Sequence, residues 1–182
     1  TFYLRNTRVV TDPLISVTPS NVQTKQEKIP FDYLVIATGI DYPIFLKNTR
    51  NVFAVKSGQE VMKYTEQVTK ANTILIIGGG LIGVEVAGEL ATHTQGKHII
   101  VVHPFDRLLE RNTLGVSAYA KKFLEEKGVE LIFNEKIVDH KKGAFLTNTN
   151  RSIKADVGIW CAGIKCNPWF MKEFPSTIFT EK

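Results

Sequence analysis

Up to residue 39 the apolar positions come in short runs broken by polar residues and prolines. "TFYLRNTRVV" and "LISVTPSNVQTK" are interrupted by Pro13 and Pro19, and "KIPFDYLVIATG" closes with Tyr33, Leu34, Val35 and Ile36 in succession. These runs predict β structure over residues 1–39, ending in a strand buried on both faces, because uninterrupted apolar residues suit a strand covered above and below. The stretch "IDYPIFLKNTRNVFAV" is polar-punctuated and carries Pro43, which predicts a connection between two bodies. At Ser57 the spacing turns helical. Ser57 and Glu60 stand at capping-box distance, and Val61, Tyr64 and Val68 recur on one face until Asn72.

From Thr73 the pattern sharpens. "TILIIGGGLIGVEVAGELATHTQGKHIIVVHP" predicts a strand over Thr73–Ile77, a glycine turn, a helix from Leu81 that stops before Gly96, and a second strand over His98–Val102. A further helix over Thr113–Lys127 would turn Val116, Ala120, Phe123 and Leu124 inward, with Gly128 as the residue that ends it. The segments "VELIF", "KIVDH", "AFLTN", "SIK" and "DVGIW" then follow so closely that a small antiparallel meander is expected before the chain returns to the main sheet at Val157–Trp160.

Composition removes several classes. The 182 residues carry 23 basic and 18 acidic side chains, a net charge of +5. The excess is spread along the chain, and the lysines and glutamates of "YAKKFLEEKG" alternate as on a solvated helix face, so no nucleic-acid partner is expected. No run approaches the roughly 18 apolar residues of a membrane helix, and the first residues lack the basic and apolar regions of a secretion signal. The cellular address stays open, with cytoplasmic or membrane-peripheral places the expectation. Cys161 and Cys166 of "WCAGIKC" follow a strand and precede Asn167 and Pro168, whereas a redox pair of that spacing would open a helix. The pair alone builds neither a disulfide framework nor a metal site. His93, His98, His103 and His140 lack ligand spacing with the cysteines, so no metal is expected.

The chemistry concentrates at the glycine turn. Gly78, Gly80 and Gly83 form G-x-G-x-x-G between a strand and a helix. The first glycine permits a tight turn, the second lets backbone approach a pyrophosphate, and the third lets helix and strand pack closely. Gly78, Gly79, Gly80, Leu81, Ile82 and Gly83 are therefore the candidate phosphate site, at a helix N-terminus that favours anions. The spacing alone is weak, but the strand before it and the helix and strand after it predict a dinucleotide site. The fold class expected is α/β: a Rossmann-like dinucleotide-binding domain with a central parallel sheet and a small antiparallel β-meander, preceded by β strands. The residue choosing NAD or NADP should stand about 20 residues past the third glycine. That position is His103, not an acid; Arg107 in the loop "HPFDR" suits a 2′-phosphate and Asp106 a displaced acid, so either cofactor is permitted. Glu85 lies among Leu81, Ile82, Val84, Ala87 and Leu90, where a carboxylate is costly unless it is paired or reaches solvent or ligand. Cofactor contact is its first expectation, with a structural ion pair or an exposed position as the alternative.

A strand ending "LVIATG", then "GGGLIGVEVAGEL", then a strand entering "ADVGIWCAG" resembles the FAD-dependent pyridine nucleotide-disulfide oxidoreductases of the glutathione-reductase type. Within that superfamily "VVHPFDRLLE", "FLEEKGVELIF" and "IWCAGIKCNPWF" are most similar to the apoptosis-inducing-factor homologues of the ferroptosis-suppressor type, NAD(P)H:quinone oxidoreductases. The resemblance implies an NAD(P)H domain inserted into an FAD domain, and a chain that is a fragment centred on the insertion. Residues 1–40 would be a partial FAD-domain segment, 41–72 a connection and helix, 73–160 the NAD(P)H-binding domain, and 161–182 the return toward the FAD domain.

The same resemblance implies site roles. The glycines would contact the pyrophosphate, Glu85 would act as the catalytic residue that helps place the nicotinamide, and His103 would sit at the adenosine ribose. Ala162 and Gly163 would lie beside the dinucleotide, and Thr38 and Gly39 would approach FAD. The implied activity is hydride transfer from NAD(P)H to FAD and on to a small-molecule, quinone-type acceptor. The isolated chain would be inactive without the rest of the FAD domain, and whether the parent associates with a membrane is left open by the sequence. The aromatic "PWFMKEF" could border a quinone or the flavin. The alternatives are a disulfide reductase using Cys161 and Cys166, and a non-enzymatic module that senses NAD(P)H.

Overall fold

The computed structural model describes residues 6–41, 43–46, 50–55, 58–166 and 168–174. The chain divides into two units, Thr1–Asp41 with Cys166–Lys182, and Tyr42–Lys165. The first unit contains β1 (Leu14–Val17), β2 (Asn21–Thr24), β3 (Lys28–Pro30) and β4 (Ile40–Asp41). The second contains β5 (Val52–Ala54), α1 (Gly58–Lys70), β6 (Thr73–Ile77), α2 (Leu81–His93), β7 (His98–Val102), α3 (Leu114–Glu126) and β8 (Glu130–Ile132). It continues through β9 (Ile137–Lys141), β10 (Ala144–Thr147), β11 (Ser152–Lys154) and β12 (Val157–Trp160), and the short β13 (Lys165–Cys166) follows.

Strands with no polar side to show must be covered on both faces, and the second unit supplies that cover. Its parallel sheet has the order β5-β12-β6-β7-β8, with Ile74 opposite Ile99 and Val157 opposite Ile74. Leu75, Ile77, Ile100 and Val102 pack with Ile137, Phe145 and Ile153 of the antiparallel sheet β11-β10-β9. The alternate residues Ile76, Ile99 and Val101 pack with Ala87, Ala120 and Leu124 of α2 and α3. Ile74 and Ile159 pack with Phe53 and Ala71, and against Tyr64 and Val68 of α1. The Phe145 ring occupies the space that a side chain at position 158 would take: a Cβ on Gly158 would lie 2.7 Å from its Cζ.

The helix ends follow the local chemistry of the sequence. Thr113 is the N-cap residue of α3. Gly128 adopts φ +78° past the C-terminus of the helix. There Gly128 N–H donates to Glu125 O at 2.9 Å and Val129 N–H to Leu124 O at 3.0 Å, the paired bonds of a Schellman ending.

The elements and fold class follow the sequence reading, with four corrections. "VFA" in the expected connection is β5, a buried edge strand parallel to β12, and with α1 it belongs to the same unit as the glycine turn. β8 joins the parallel sheet beside β7, so the meander is β9 to β11 only. On α3 Ala120, Phe123 and Leu124 pack inward together with Ser117, while Val116 is exposed. Tyr33 to Ile36 form no ladder, and Tyr33 and Val35 are 94% and 88% exposed. Burial on both faces needs pairing within a sheet and a layer above and below it, and β1, β2 and β3 pair antiparallel with one another without this segment. The capping box of Ser57 and Glu60 lies outside the described residues.

In the first unit Val17 is buried with Phe170 and Met171, and its N–H donates to Phe170 O at 2.8 Å. These residues of "PWFMKEF" therefore serve as core.

Candidate dinucleotide site

β6 is flanked by β7 on one side and β12 on the other. Open α/β sheets bind ligands outside the carboxyl ends of such diverging strands. A crevice of about 430 Å³ lies there, lined at the strand ends by Ile77, Gly78, Val102, Pro104 and Trp160. Ala162 and Gly163 continue the wall after β12, while Phe45, Leu46, Lys136, Ile137 and Val138 close the far side. The indole of Trp160 donates to Ala162 O at 2.6 Å, which fixes the wall next to Gly163.

The glycine turn is built by close approach. Gly78 has φ +110°, and a Cβ there would lie 3.0 Å from Ala162 N and from Cys161 O. A Cβ on Gly83 would lie 1.8 Å from Gly78 O, so helix and turn could not meet with any side chain in between. Gly80 differs: it is the N-cap residue of α2, and a Cβ there would meet nothing within 4 Å. The first intrahelical bond runs from Val84 N–H to Gly80 O at 3.0 Å. The N–H groups of Leu81, Ile82 and Gly83 precede that ladder, and Gly80 makes no side-chain cap. Open space in front of a helix N-terminus, with no acidic residue in the first turn, fits a pyrophosphate.

Gly79 is gripped from one loop. Its N–H donates to His103 Nδ1 at 2.9 Å, and its carbonyl accepts from Leu109 N–H at 2.9 Å. A Cβ on Gly79 would lie 2.6 Å from Leu108 Cδ2 and 3.0 Å from His103 Cγ. Because Nδ1 accepts, Nε2 carries the proton of the neutral ring and donates to Glu110 Oε2 at 3.2 Å. His103 is 4% exposed. Burial lowers its pKa below the ordinary value, outweighing the opposing pull of Glu110.

The other sequence candidates are placed as follows. Arg107 donates to the carbonyl oxygens of Leu109, Glu110 and Asn112, which fastens its own loop. Glu85 is exposed and borders the grooves of α2 with α1 and with α3, not the crevice. Two residues past the sheet-facing Gly83, at about 100° per residue, it is turned to the outer side of the helix. Thr38 and Gly39 are exposed residues of the other unit. The Cys161 thiol packs against the core, and burial pushes its pKa up to about 12; the side chain of Cys166 lies outside the described residues. The sequence reading missed Lys136, Trp160 and Phe45. Only the switch-point rule, applied with the strand order known, would have found them.

A parallel sheet with a glycine turn, an uncapped helix start and a crevice at the strand divergence is a Rossmann-type dinucleotide-binding domain. The chain belongs to the pyridine nucleotide-disulphide oxidoreductase family, whose pattern matches residues 2–176. Ferroptosis suppressor protein 1 of Taeniopygia guttata is 30% identical over 151 residues, covering 78% of this chain and 40% of that protein. Apoptosis-inducing factor homolog A of Dictyostelium discoideum is 30% identical over 193 residues, covering 90% of this chain and 47% of that protein. The chain thus spans about half the length of these relatives or less. A ferredoxin reductase from Rhodopseudomonas palustris shares the fold with a TM-score of 0.74 at 17% identity, over 88% of this chain and 42% of that one.

Proposed function

We propose that the crevice binds NADH or NADPH and that the protein serves an FAD-dependent oxidoreductase with a quinone-type acceptor. The observation that carries the reading is the uncapped start of α2 at Gly80, with open space in front of it, two residues past Gly78 of the crevice wall. When bound, the nicotinamide supplies a hydride and the flavin receives it, so the protein's share is placement. The N–H groups of Leu81 and Ile82 would hold the phosphates. Ala162 and Gly163, held by the Trp160 indole, would give a close wall for the dinucleotide. Glu85 as the residue that places the nicotinamide, on the outer side of α2 beyond the crevice, and Thr38 and Gly39 toward FAD, belong to this reading through the family resemblance. The Cys161 thiol, buried with its pKa near 12, offers no thiolate at neutral pH. That favours a small-molecule acceptor over a disulfide.

Calorimetric titration with NADH and NADPH tests the reading. One-to-one binding is expected. Gly80→Ala should weaken it about tenfold or more with the melting temperature unchanged, because its Cβ enters the open space and touches no protein atom. A Gly80→Ala chain that binds as well as wild type would remove the phosphate from α2.

A further inference from the structure

Neither the spacing of the motifs nor the names of the relatives point to Lys136. We infer that Lys136 reads the adenosine ribose and selects a dinucleotide carrying a 2′-phosphate, NADPH, over NADH; the inference rests on the dinucleotide reading of the crevice. In this fold the ribose is read at the carboxyl end of the second strand, by an acid for a free 2′-hydroxyl or a cation for a 2′-phosphate. Here that end is Val102 to Pro104, and both of those residues line the crevice.

The nearby groups are otherwise employed. His103 is buried with both ring nitrogens engaged, and Arg107 is spent on backbone carbonyls. Asp106, the acid that would suit NADH, is exposed and does not line the crevice. Lys136 does line it, and its side chain is exposed. Among the described residues Lys136 makes no ion pair, and the neighbouring acids are taken: Glu135 by Arg151 at 3.1 Å and Asp139 by Lys141 at 2.6 Å.

The backbone around Lys136 is fixed beside the end of β7. Glu135 N–H donates to His103 O at 3.1 Å. Lys136 N–H donates to Asn148 Oδ1 at 2.8 Å, and Asn148 N–H returns to Lys136 O at 3.0 Å. A lining residue with a pinned main chain and an ammonium on a flexible stem, in an otherwise apolar wall, suits a phosphate dianion and gives a neutral diol no comparable partner.

The experiment is calorimetric titration of the whole chain, as wild type, Lys136→Ala and Lys136→Arg, with NADPH, NADH, adenosine 2′,5′-bisphosphate and adenosine 5′-diphosphate. Circular dichroism of each variant checks the fold. Wild type should prefer NADPH about tenfold or more. Lys136→Ala should lose that preference and the advantage of the bisphosphate, with NADH affinity unchanged, and Lys136→Arg should keep it. Equal affinity of wild type for both dinucleotides would overturn the inference while leaving the crevice reading intact. So would an equal loss of NADH and NADPH binding in Lys136→Ala, which would place the ammonium at the pyrophosphate. If a folded wild-type chain bound none of the four nucleotides, the crevice reading would fall and take the inference with it.

Discussion

A buried imidazole that accepts a hydrogen bond at one nitrogen must stay neutral to keep it. His103 accepts Gly79 N–H, and protonation of Nδ1 would break the bond that holds the middle of the glycine turn. Its folded pKa lies below the ordinary value, chiefly because of burial. The neutral ring therefore contributes stability that is complete above about pH 6.5 and is lost as pH falls through the lowered folded value. Urea unfolding between pH 8 and 5 should show that loss, and in His103→Leu the pH dependence over this window should flatten. At pH 8 that variant should be less stable by about 1–3 kcal/mol, the cost of a buried N–H without an acceptor. Sequence position and the family resemblance set His103 at the adenosine ribose; its bonds to Gly79 and Glu110 were legible only in three dimensions, because Leu108 and Glu110 return over the ring from a loop with no regular spacing to read.

Among the elements, the interior strands were readable and the edges were not. "TILII" and "HIIVV" are covered on both faces, so each is a continuous apolar run bounded by polar residues. β5 is three residues inside a polar-punctuated stretch, and only its parallel pairing with β12 makes it a strand. The register also explains Gly158. It lies opposite Leu75 on one side and Val52 on the other, with the Phe145 ring directly over it. Gly158→Ala should cost about 1–3 kcal/mol by overpacking, read as a lower urea midpoint. Adding Phe145→Leu should recover part of that loss, so the double variant is more stable than the sum of the two single effects predicts.

At the scale of the molecule, the family and the dinucleotide fold were legible because the glycine turn and its flanking strands are local in sequence. The walls of the crevice come from positions as distant as Phe45, Lys136 and Trp160, and no local pattern joins them. The unit Tyr42–Lys165 is continuous, and the other unit is made from chain on either side of it. The continuous segment expressed alone should unfold cooperatively in urea and bind the same nucleotide as the whole chain. A broad, probe-dependent transition would show that it needs its flanks. The same arrangement sets an order of events on the ribosome. At ~5–20 residues per second, the β1 to β3 sheet waits on the order of ten seconds for Phe170 and Met171, the residues that pack on Val17. During that interval Val17 has no lid, and the nascent chain presents an apolar surface to whatever chaperone stands at the exit tunnel.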